Sequence, residues 1–306
     1  MKHIKIAFIG GDLRQISAAR YFAGKGAEVN VWGFDGCRLP EKVQGKDTLQ
    51  SACEGARAII LPLPYGKEGE LNCPLTEQQP NLAELLPAVS PETIIMGGKL
   101  DFEAYKLAEA HNNKITDYYG REELSVLNAV PTAEGAVETA MRELPVTLFG
   151  SKMAIIGFGR IGKVLARALC ALGADVTVFA RKPEAKAWAR IYGCKTETTD
   201  NMEEKLSEFV CIFNTVPAPV LGARELCAVR DGAIIIDLAS APGGVDKGAA
   251  EKALGGFDAF SVGDDFAGEN PSRVIVSSPE RLPLLIGFFN ARGLFARINH
   301  SRPSKL

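Results

Sequence analysis

Residues 152–182 read KMAIIGFGRIGKVLARALCALGADVTVFARK, and this stretch decides the fold around it. An apolar run typical of a buried strand leads into three glycines, Gly157, Gly159 and Gly162. An amphipathic helical pattern follows the glycines, and a second strand pattern ends the stretch. This order of strand, glycine turn, helix and strand predicts a dinucleotide-binding unit, whereas the glycines alone would also fit a structural turn without a ligand.

Each glycine has a separate expected role. Gly157 allows the tight turn, Gly159 lets the backbone approach a pyrophosphate, and Gly162 lets the helix and strand pack closely. The free N–H groups at the start of the helix would then face the phosphates. We therefore expect Arg160 and Ile161, which open this helix, to belong to the cofactor site as well.

The end of the second strand predicts which dinucleotide binds. An NAD site usually places Asp or Glu there, to accept hydrogen bonds from the ribose hydroxyls. This chain instead has Ala180, Arg181 and Lys182, which offer two cations and no carboxylate. A guanidinium suits a 2′-phosphate, so NADP is favoured over NAD. The alternative is that both cations are solvated surface charges.

Strand patterns alternate with helical patterns along the chain, which predicts an α/β protein. We expect two doubly wound parallel-sheet domains, the second a Rossmann dinucleotide-binding domain. The expected strands cover 5–9, 28–31, 58–61, 93–96, 152–156, 175–179, 210–214 and 234–238, and expected helices include 15–25, 101–112 and 134–143, the last with Thr132 as its N-cap.

These patterns divide the chain into three parts. Residues 1–148 are expected to form a substrate-side α/β domain that includes a linking helix, and residues 149–280 the NADP-binding Rossmann domain. Residues 281–306 are an atypical C-terminal segment. Its apolar sequence fits a helix packing back on the first domain or on a partner, and it equally fits an exposed apolar segment that aggregates.

Composition narrows the function classes. The 306 residues carry a net charge of −2 and are 46% hydrophobic, which gives no reason to expect a nucleic-acid or membrane partner. Seven cysteines form no C-x-x-C pair, so we expect reduced thiols and no metal site. The N-terminus resembles no signal peptide and no apolar run reaches about 20 residues, so a cytoplasmic protein is expected.

The histidines argue against an ordinary 2-hydroxy-acid dehydrogenase. Oxidation of an alcohol normally needs a general base near neutrality, and histidine is the common choice. The chain has only His3, His111 and His300, and none lies in a glycine-rich or strand-end motif.

Strand-end loops supply further candidates. Residues 119–136, 214–221 and 234–246 are expected to be loops that face a cleft. The alternative is that they are ordinary βα loops without a functional role. Beside the nicotinamide we expect Thr215, Val216, Pro217, Asp237 and Ala239. The first glycine turn, IGGDLRQ at 9–15, lacks the third glycine, so we predict no second nucleotide site there. Arg14 in it is either an anion clamp or a surface arginine.

Taken together, IGGDLRQ, NAVPTAEG, FNTVPAPVL and IDLASAPGGVD, with the glycine stretch, make roughly residues 4–255 resemble the dipicolinate synthase A-subunit family. The resemblance implies oxidation of dihydrodipicolinate to pyridine-2,6-dicarboxylate during bacterial sporulation, with hydride transfer to NADP. It also implies an oligomeric enzyme whose partner is the flavoprotein-like B-subunit of dipicolinate synthase. Aromatisation makes the dihydropyridine a willing hydride donor, so a strong base is less necessary than for an alcohol.

A dicarboxylate substrate needs cations and hydroxyls around it. The expected substrate-binding residues are Arg14, Arg121, Asn128 and Thr132, and the expected catalytic residues are Lys99, Glu134 and Ser240. Lys99 would accept a proton if burial held its amine neutral. Glu134 is either a proton acceptor or only a carboxylate near a helix start.

The C-terminal 45 or so residues depart from the family, because the Leu-Pro-Gly loop expected there is absent. Two alternatives to the implied activity remain open, and this departure favours the second of them. One is another two-domain NAD(P)-dependent dehydrogenase of a small amino or hydroxy acid. The other is a nucleotide-binding, non-catalytic subunit.

Overall fold

The computed structural model of the chain describes residues 4–240, 243–254 and 273–276. These residues form two compact units, which divide between Leu127 and Asn128. Each unit is built on a six-stranded sheet in which all neighbouring strands are parallel. The predicted α/β class with two doubly wound parallel sheets is therefore confirmed.

The first unit alternates short strands and helices along the chain. Its strands are β1 (Lys5–Ile9), β2 (Glu28–Trp32), β3 (Val43–Gly45), β4 (Ala58–Ile60), β5 (Gly66–Lys67), β6 (Glu70–Leu71), β7 (Ile94–Gly97) and β8 (Ile115–Asp117). The six-stranded sheet has the spatial order β3-β2-β1-β4-β7-β8, and β5 and β6 form a separate antiparallel hairpin. The helices of this unit are α1 (Leu13–Gly24), α2 (Leu49–Cys53), α3 (Leu82–Leu85) and α4 (Phe102–Ala110), with a 3₁₀ turn at Leu86–Ala88. Helix α5 (Glu122–Glu143) has residues in both units.

The strands of the second unit are β9 (Lys152–Ile156), β10 (Asp175–Phe179), β11 (Lys195–Glu197), β12 (Cys211–Asn214), β13 (Ile234–Asp237) and β14 (Arg273–Val276). Their spatial order, β11-β10-β9-β12-β13-β14, corresponds strand by strand to that of the first sheet. The helices of the second unit are α6 (Arg160–Ala171), α7 (Pro183–Ile191), α8 (Glu203–Leu206), α9 (Ala223–Cys227) and α10 (Lys247–Leu254).

The central strands are buried on both faces, which explains their continuous apolar runs. In β1, Ile6 and Phe8 lie in the core on one face, while Ala7 and Ile9 lie in the core on the other. All four are 0% exposed. The second sheet repeats the arrangement, with Ile155 in one core and the neighbouring residues Ala154 and Ile156 in the other. Alternation of side chains along a strand therefore builds two cores from one sequence run.

The start of helix α5 corrects two predictions. The helix begins at Glu122 rather than near residue 134, so residues 119–136 are mostly helix and not a strand-end loop. Thr132 is a buried interior residue and not the N-cap, and its hydroxyl donates to the carbonyl of Asn128 at 2.9 Å. Pro131 lies inside the helix. The predictions failed because tertiary packing of buried residues such as Ala133 outweighs the cost of an internal proline.

The compact units divide within α5, earlier than the predicted domain boundary between 148 and 149. Ala133, Ala136 and Ala140 of this helix belong to the second unit's core, which draws that part of the helix into the second unit. The predicted boundary between domains stays a prediction. The predicted C-terminal segment, 281–306, lies outside the described residues.

Within the ranges that the structure describes, no helix combines the length and apolar character needed to cross a membrane.

Candidate functional site

The glycine turn after β9 is tightly constrained by its neighbours. Gly157 adopts φ = +90°, a conformation that side chains disfavour. A Cβ on Gly157 would lie 2.6 Å from Thr215 Oγ1 and 2.7 Å from Val216 Cγ2. The Thr215 hydroxyl in turn donates to the carbonyl of Ile156 at 3.0 Å. Both the dihedral angle and the space therefore require glycine at 157.

Gly159 and Gly162 differ in what surrounds them. A Cβ on Gly162 would lie 2.6 Å from the carbonyl oxygen of Gly157, so α6 approaches the turn as closely as a residue without a side chain allows. A Cβ on Gly159 would meet no atom of the described chain within 4 Å. Gly159 is the N-cap of α6 and faces open space, which is what close approach of a pyrophosphate needs.

The sheet order places this turn where a nucleotide can bind. Strand β9 lies between β10 and β12, and the winding direction of the sheet reverses between β9 and β12. Ligands of open α/β sheets bind at the carboxyl ends of the strands at this reversal. The turn residues that follow β9 and Thr215, which follows β12, lie there together. The residues thus fit a dinucleotide diphosphate.

Two predicted cofactor residues of α6 have different surroundings. Arg160 is exposed in the first turn. Ile161 packs partly buried against the apolar core, so its side chain contributes to packing.

The residues after β10 offer two exposed cations. Ala180 is buried, and its N–H donates to the carbonyl of Glu197 at 3.1 Å. Arg181 and Lys182 are exposed, and Lys182 is the N-cap of α7. In the described part of the chain neither cation forms an ion pair. Two uncompensated positive charges follow the strand that would carry the acidic residue of an NAD site.

A buried carboxylate organises the loops after β12 and β13. Asp237 is 2% exposed and accepts a hydrogen bond from Asn214 Nδ2 at 2.8 Å. It also accepts backbone N–H bonds from Ala239 at 3.0 Å, Gly244 at 2.8 Å and Val245 at 3.3 Å. Both carboxylate oxygens are therefore engaged by the chain itself. This gives Asp237, which was expected beside the cofactor, the role of a loop anchor.

Asn214 is a residue that the sequence patterns did not single out. It is fully buried, its Nδ2 also donates to the carbonyl of Val216 at 3.0 Å, and its Oδ1 accepts from the N–H of Val216 at 3.1 Å. A Cβ on Gly244 would collide with this side chain. The sequence did contain a signal for this contact, because an amide and a carboxylate, Asn214 and Asp237, end two apolar strands. These strands pair as neighbours in the sheet.

The remaining candidates of these loops are more open. Pro217 and Ser240 are exposed, Val216 and Ala239 are half-buried, and the Ser240 carbonyl accepts the Gly243 N–H at 2.9 Å.

The first glycine turn is filled by the chain itself. The carbonyl of Asn72 accepts the N–H of Gly11 at 2.8 Å, and a Cβ on Gly10 would collide with Cys73 Sγ. Asp12 caps α1 by accepting the N–H of Arg14 at 2.9 Å. This explains physically why the turn differs from that of the second unit: the space beside it holds the segment after β6.

Arg14 is held in place by its own neighbours. Its Nη2 donates to Asp12 Oδ2 at 2.6 Å and to the carbonyl of Leu63 at 2.8 Å, and its Nε contacts both oxygens of Asp12 at 2.9 Å. Its side chain is 18% exposed. The next residue, Gln15, is buried and donates to the carbonyl of Leu61 at 2.9 Å. The guanidinium is thus oriented at the carboxyl edge of the first sheet, and Asp12 offsets much of its charge.

Lys99 and Arg121 lie near the ends of β7 and β8. Lys99 is exposed, and its Nζ lies 5.4 Å from the centroid of the Tyr119 ring. An exposed amine lacks the burial that the proton-accepting role requires. Arg121 pairs with Glu123 through an Nε–Oε1 bond of 2.8 Å.

The α5 candidates belong to the second unit. Asn128 and Thr132 are joined by the hydroxyl-to-carbonyl bond described above, and Thr132 is buried. Glu134 is exposed and lines an open groove with Val137, Met141 and Ala168.

The structure divides the seven predicted substrate and catalytic residues between its two units. Arg14, Lys99 and Arg121 lie in the first unit, and Asn128, Thr132, Glu134 and Ser240 lie in the second.

Two known families match the chain, one in each compact unit. Residues 5–119 match the family described as the dipicolinate synthase A-subunit N-terminal domain, and residues 128–273 match the NAD-binding domain of D-isomer specific 2-hydroxyacid dehydrogenases. The dipicolinate synthase A-subunit of Bacillus subtilis (strain 168) is 30% identical over 254 residues, which cover 81% of this chain and 85% of that protein.

Solved structures show the same fold. The crystal structure of the dipicolinate synthase A chain from Bacillus subtilis is 25% identical and superposes with a TM-score of 0.78, covering 99% of each chain. The corresponding structure from Bacillus halodurans, also of a dipicolinate synthase A-subunit, has a TM-score of 0.77 at 24% identity, again with 99% of each chain covered.

The fold and the glycine site define a two-unit protein with an NAD(P)-dependent oxidoreductase fold. Its second unit is a nicotinamide dinucleotide-binding domain related to that of the 2-hydroxyacid dehydrogenases. The chain belongs to the dipicolinate synthase A-subunit family, because it is 30% identical to the Bacillus subtilis relative over 81% of its length.

Two alanine substitutions test the glycine turn. Gly159→Ala places a methyl group in the open space and should abolish dinucleotide binding with little change in thermal midpoint. Gly162→Ala forces the helix away from the Gly157 carbonyl and should lower both affinity and thermal midpoint. Calorimetric titration with the dinucleotide and thermal unfolding measure the two effects. Wild-type affinity in Gly159→Ala would contradict this assignment of the site.

Removing the charge of the buried anchor should loosen the loops. In Asp237→Asn one acceptor oxygen becomes an amide that faces backbone N–H groups, so donors are left unsatisfied. We expect a loss of about 1–3 kcal/mol in the free energy of unfolding, measured in urea. The exposed Asp231→Asn is the matched control and should change it by less than about 0.5 kcal/mol. Equal effects of the two substitutions would refute the anchoring role.

Proposed function

We propose that the chain is the nucleotide-binding subunit of a dipicolinate synthase and oxidises dihydrodipicolinate to dipicolinate, with NADP⁺ as hydride acceptor. The single observation that carries this proposal is the combination of family membership across both units with a glycine turn shaped for a dinucleotide. A bound NADP⁺ supplies the electrophilic ring that takes the hydride. The protein's part is to bind, orient and shield the reactants.

The lack of a histidine in the predicted site motifs fits this reaction. In the sequence, none of His3, His111 and His300 falls within the glycine turn at 157–162 or within residues 214–221 and 234–246. His111 is the C-cap of α4, and its Nδ1 lies 2.9 Å from the Leu107 carbonyl. Loss of a hydride and a proton from the dihydropyridine creates an aromatic ring, so the product's stability lowers the need for a strong base. The same histidine distribution disfavours oxidation of a hydroxy acid.

Arg14 is the leading candidate for binding a substrate carboxylate in the first unit. Asp12 and the Leu63 carbonyl fix its orientation before any ligand arrives, which reduces the entropy lost on binding. Asp12 also offsets its charge, so Arg14 alone would hold an anion weakly. We therefore infer that further polar groups contribute. Within the second unit, Asn128 and Thr132 remain the proposed substrate-binding residues, and Ser240 remains a proposed catalytic residue.

We also propose that the chain works in an oligomer with a flavoprotein-like second subunit, because the family name marks its members as one component of an enzyme with several. We also propose a place in the cytoplasm, because the spacing of the seven cysteines in the sequence indicates no disulfide framework. The role in bacterial sporulation follows from the same family membership.

The reaction is tested directly by mixing the chain with NADP⁺ and freshly generated dihydrodipicolinate. Appearance of the pyridine product is followed by ultraviolet absorbance, with and without the second subunit. Product is expected in at least one condition, accompanied by NADPH in equal amount. Absence of product in both conditions, or reduction of a 2-oxo acid by the chain alone, would refute the proposal and favour the non-catalytic or dehydrogenase alternatives.

The cofactor preference depends on Arg181. Arg181→Ala removes a guanidinium proposed to contact the 2′-phosphate, and a hydrogen bond between charged groups contributes about 1.5–3 kcal/mol. The Kd for NADP should rise about tenfold to a hundredfold while the Kd for NAD stays constant. The matched substitution Arg14→Ala in the first unit should leave both constants unchanged and raise the KM for the dicarboxylate. If NADP and NAD bind equally well before and after Arg181→Ala, the preference for NADP is wrong.

A further inference from the structure

Two thiols of the second unit lie close together. Cys170 is in the last turn of α6, Cys194 lies between α7 and β11, and their Sγ atoms are 3.5 Å apart. All seven cysteines fall within the described residues, and no other two of them form a sulfur–sulfur contact. A disulfide has an S–S length of about 2.05 Å, so the two sulfurs need to approach by only about 1.5 Å.

The two thiols differ in access to solvent. Cys170 is partly exposed, whereas Cys194 is 5% exposed and belongs to the apolar core. Burial, assisted by the neighbouring Cys170, raises the pKa of the Cys194 thiol to about 12. A dissolved oxidant therefore meets Cys170 first, and the Cys194 sulfur lies 3.5 Å from the sulfur that is oxidised.

This cysteine pair is connected to the glycine turn by aromatic packing. Tyr192, two residues before Cys194, packs its ring against that of Phe158 at a centroid distance of 5.9 Å. Phe158 is 8% exposed and lies between Gly157 and Gly159. Cys170 lies on α6, the helix whose N-terminus faces the expected pyrophosphate. Any movement that joins the sulfurs therefore acts on both the turn and the helix of the nucleotide site.

We propose that Cys170 and Cys194 form a reversible disulfide when the protein meets a hydroperoxide, and that this disulfide weakens dinucleotide binding. Close-packed cores transmit small displacements, so the shift of Cys194 towards α6 repositions Tyr192 and with it Phe158. Reduction by a dithiol restores the contact and the affinity. The effect on affinity rests on the proposed dinucleotide binding, whereas the covalent bond does not.

The chemistry balances in two steps. The Cys170 sulfur attacks the peroxide, so that an S–O bond forms, the O–O bond breaks, and water or an alcohol leaves. This oxidises Cys170 to a sulfenic acid. The Cys194 sulfur then attacks the sulfur of Cys170, the S–S bond forms, the S–O bond breaks, and the hydroxyl leaves as water with the proton of Cys194. Two thiols and one peroxide thus give one disulfide, with the peroxide as the two-electron oxidant.

The bond itself is tested by mass spectrometry. The full chain is treated with hydrogen peroxide, remaining thiols are alkylated, and the protein is digested without reductant. We expect a peptide pair that links Cys170 to Cys194, a loss of two hydrogens, and reversal by dithiothreitol. Cys170→Ser and Cys194→Ala should each abolish the linked pair. Cys227→Ser, which removes an exposed thiol elsewhere in the second unit, is the matched control and should leave it intact.

The consequence is tested by titrating reduced and oxidised protein with NADP. Oxidation should raise the Kd roughly fivefold or more in the wild type and in Cys227→Ser, with no change in Cys170→Ser. Absence of the linked peptide pair overturns the proposal, and so does a linked protein with unchanged affinity. If the reduced chain binds no dinucleotide, the proposed function fails, while the mass spectrum still decides whether the two thiols join.

Discussion

The second unit depends on the close approach of helix α6 to the turn after β9. Gly162 brings the helix against the Gly157 carbonyl, and Gly157 leaves room for Thr215 and Val216 from the neighbouring loop. A methyl group at either position would force these segments apart. The same approach points the helix N-terminus at the space beside Gly159, so packing and ligand binding share one geometric constraint.

A second constraint is the buried carboxylate of Asp237. A charge in this position is stable because Asn214 and three backbone N–H groups satisfy it. In return the carboxylate holds the loops that follow two neighbouring strands, and it leaves little freedom to the segment that carries Ser240. Rigid loops of this kind would suit the proposed hydride transfer, which requires the reacting rings to be held in a fixed orientation.

The two units show how one sheet order serves different purposes. Both follow the same order and both begin with a strand that ends in glycines. In the first unit the segment Asn72–Cys73 fills the space beside the turn, and Asp12 satisfies the helix start that an anion would otherwise occupy. The difference lies in the segment after the hairpin β5–β6, which explains why one unit presents an open turn and the other a fixed arginine.

Local patterns determined much of the fold. Apolar runs such as β9 and β10 were predicted to the residue, because strands buried on two faces leave a clear sequence pattern. Three glycines with flanking strands, and two cations after β10, were enough to predict a dinucleotide site. The start of α5 was missed, because Pro131 and Gly135 indicate a loop locally while the alanine face of the helix is stabilised only by a distant core.

The sequence by itself thus determined the fold class and the family resemblance, and it predicted where the dinucleotide binds, since each depends on residues close together in the chain. Only the tertiary structure decided that Asp237 anchors loops, that Asp12 holds Arg14, and that Cys170 meets Cys194. These contacts depend on how different helices and strands pack together, or on which hydrogen-bond acceptor a side chain reaches in the folded protein. Burial and hydrogen bonding in three dimensions, rather than residue type, decide those roles.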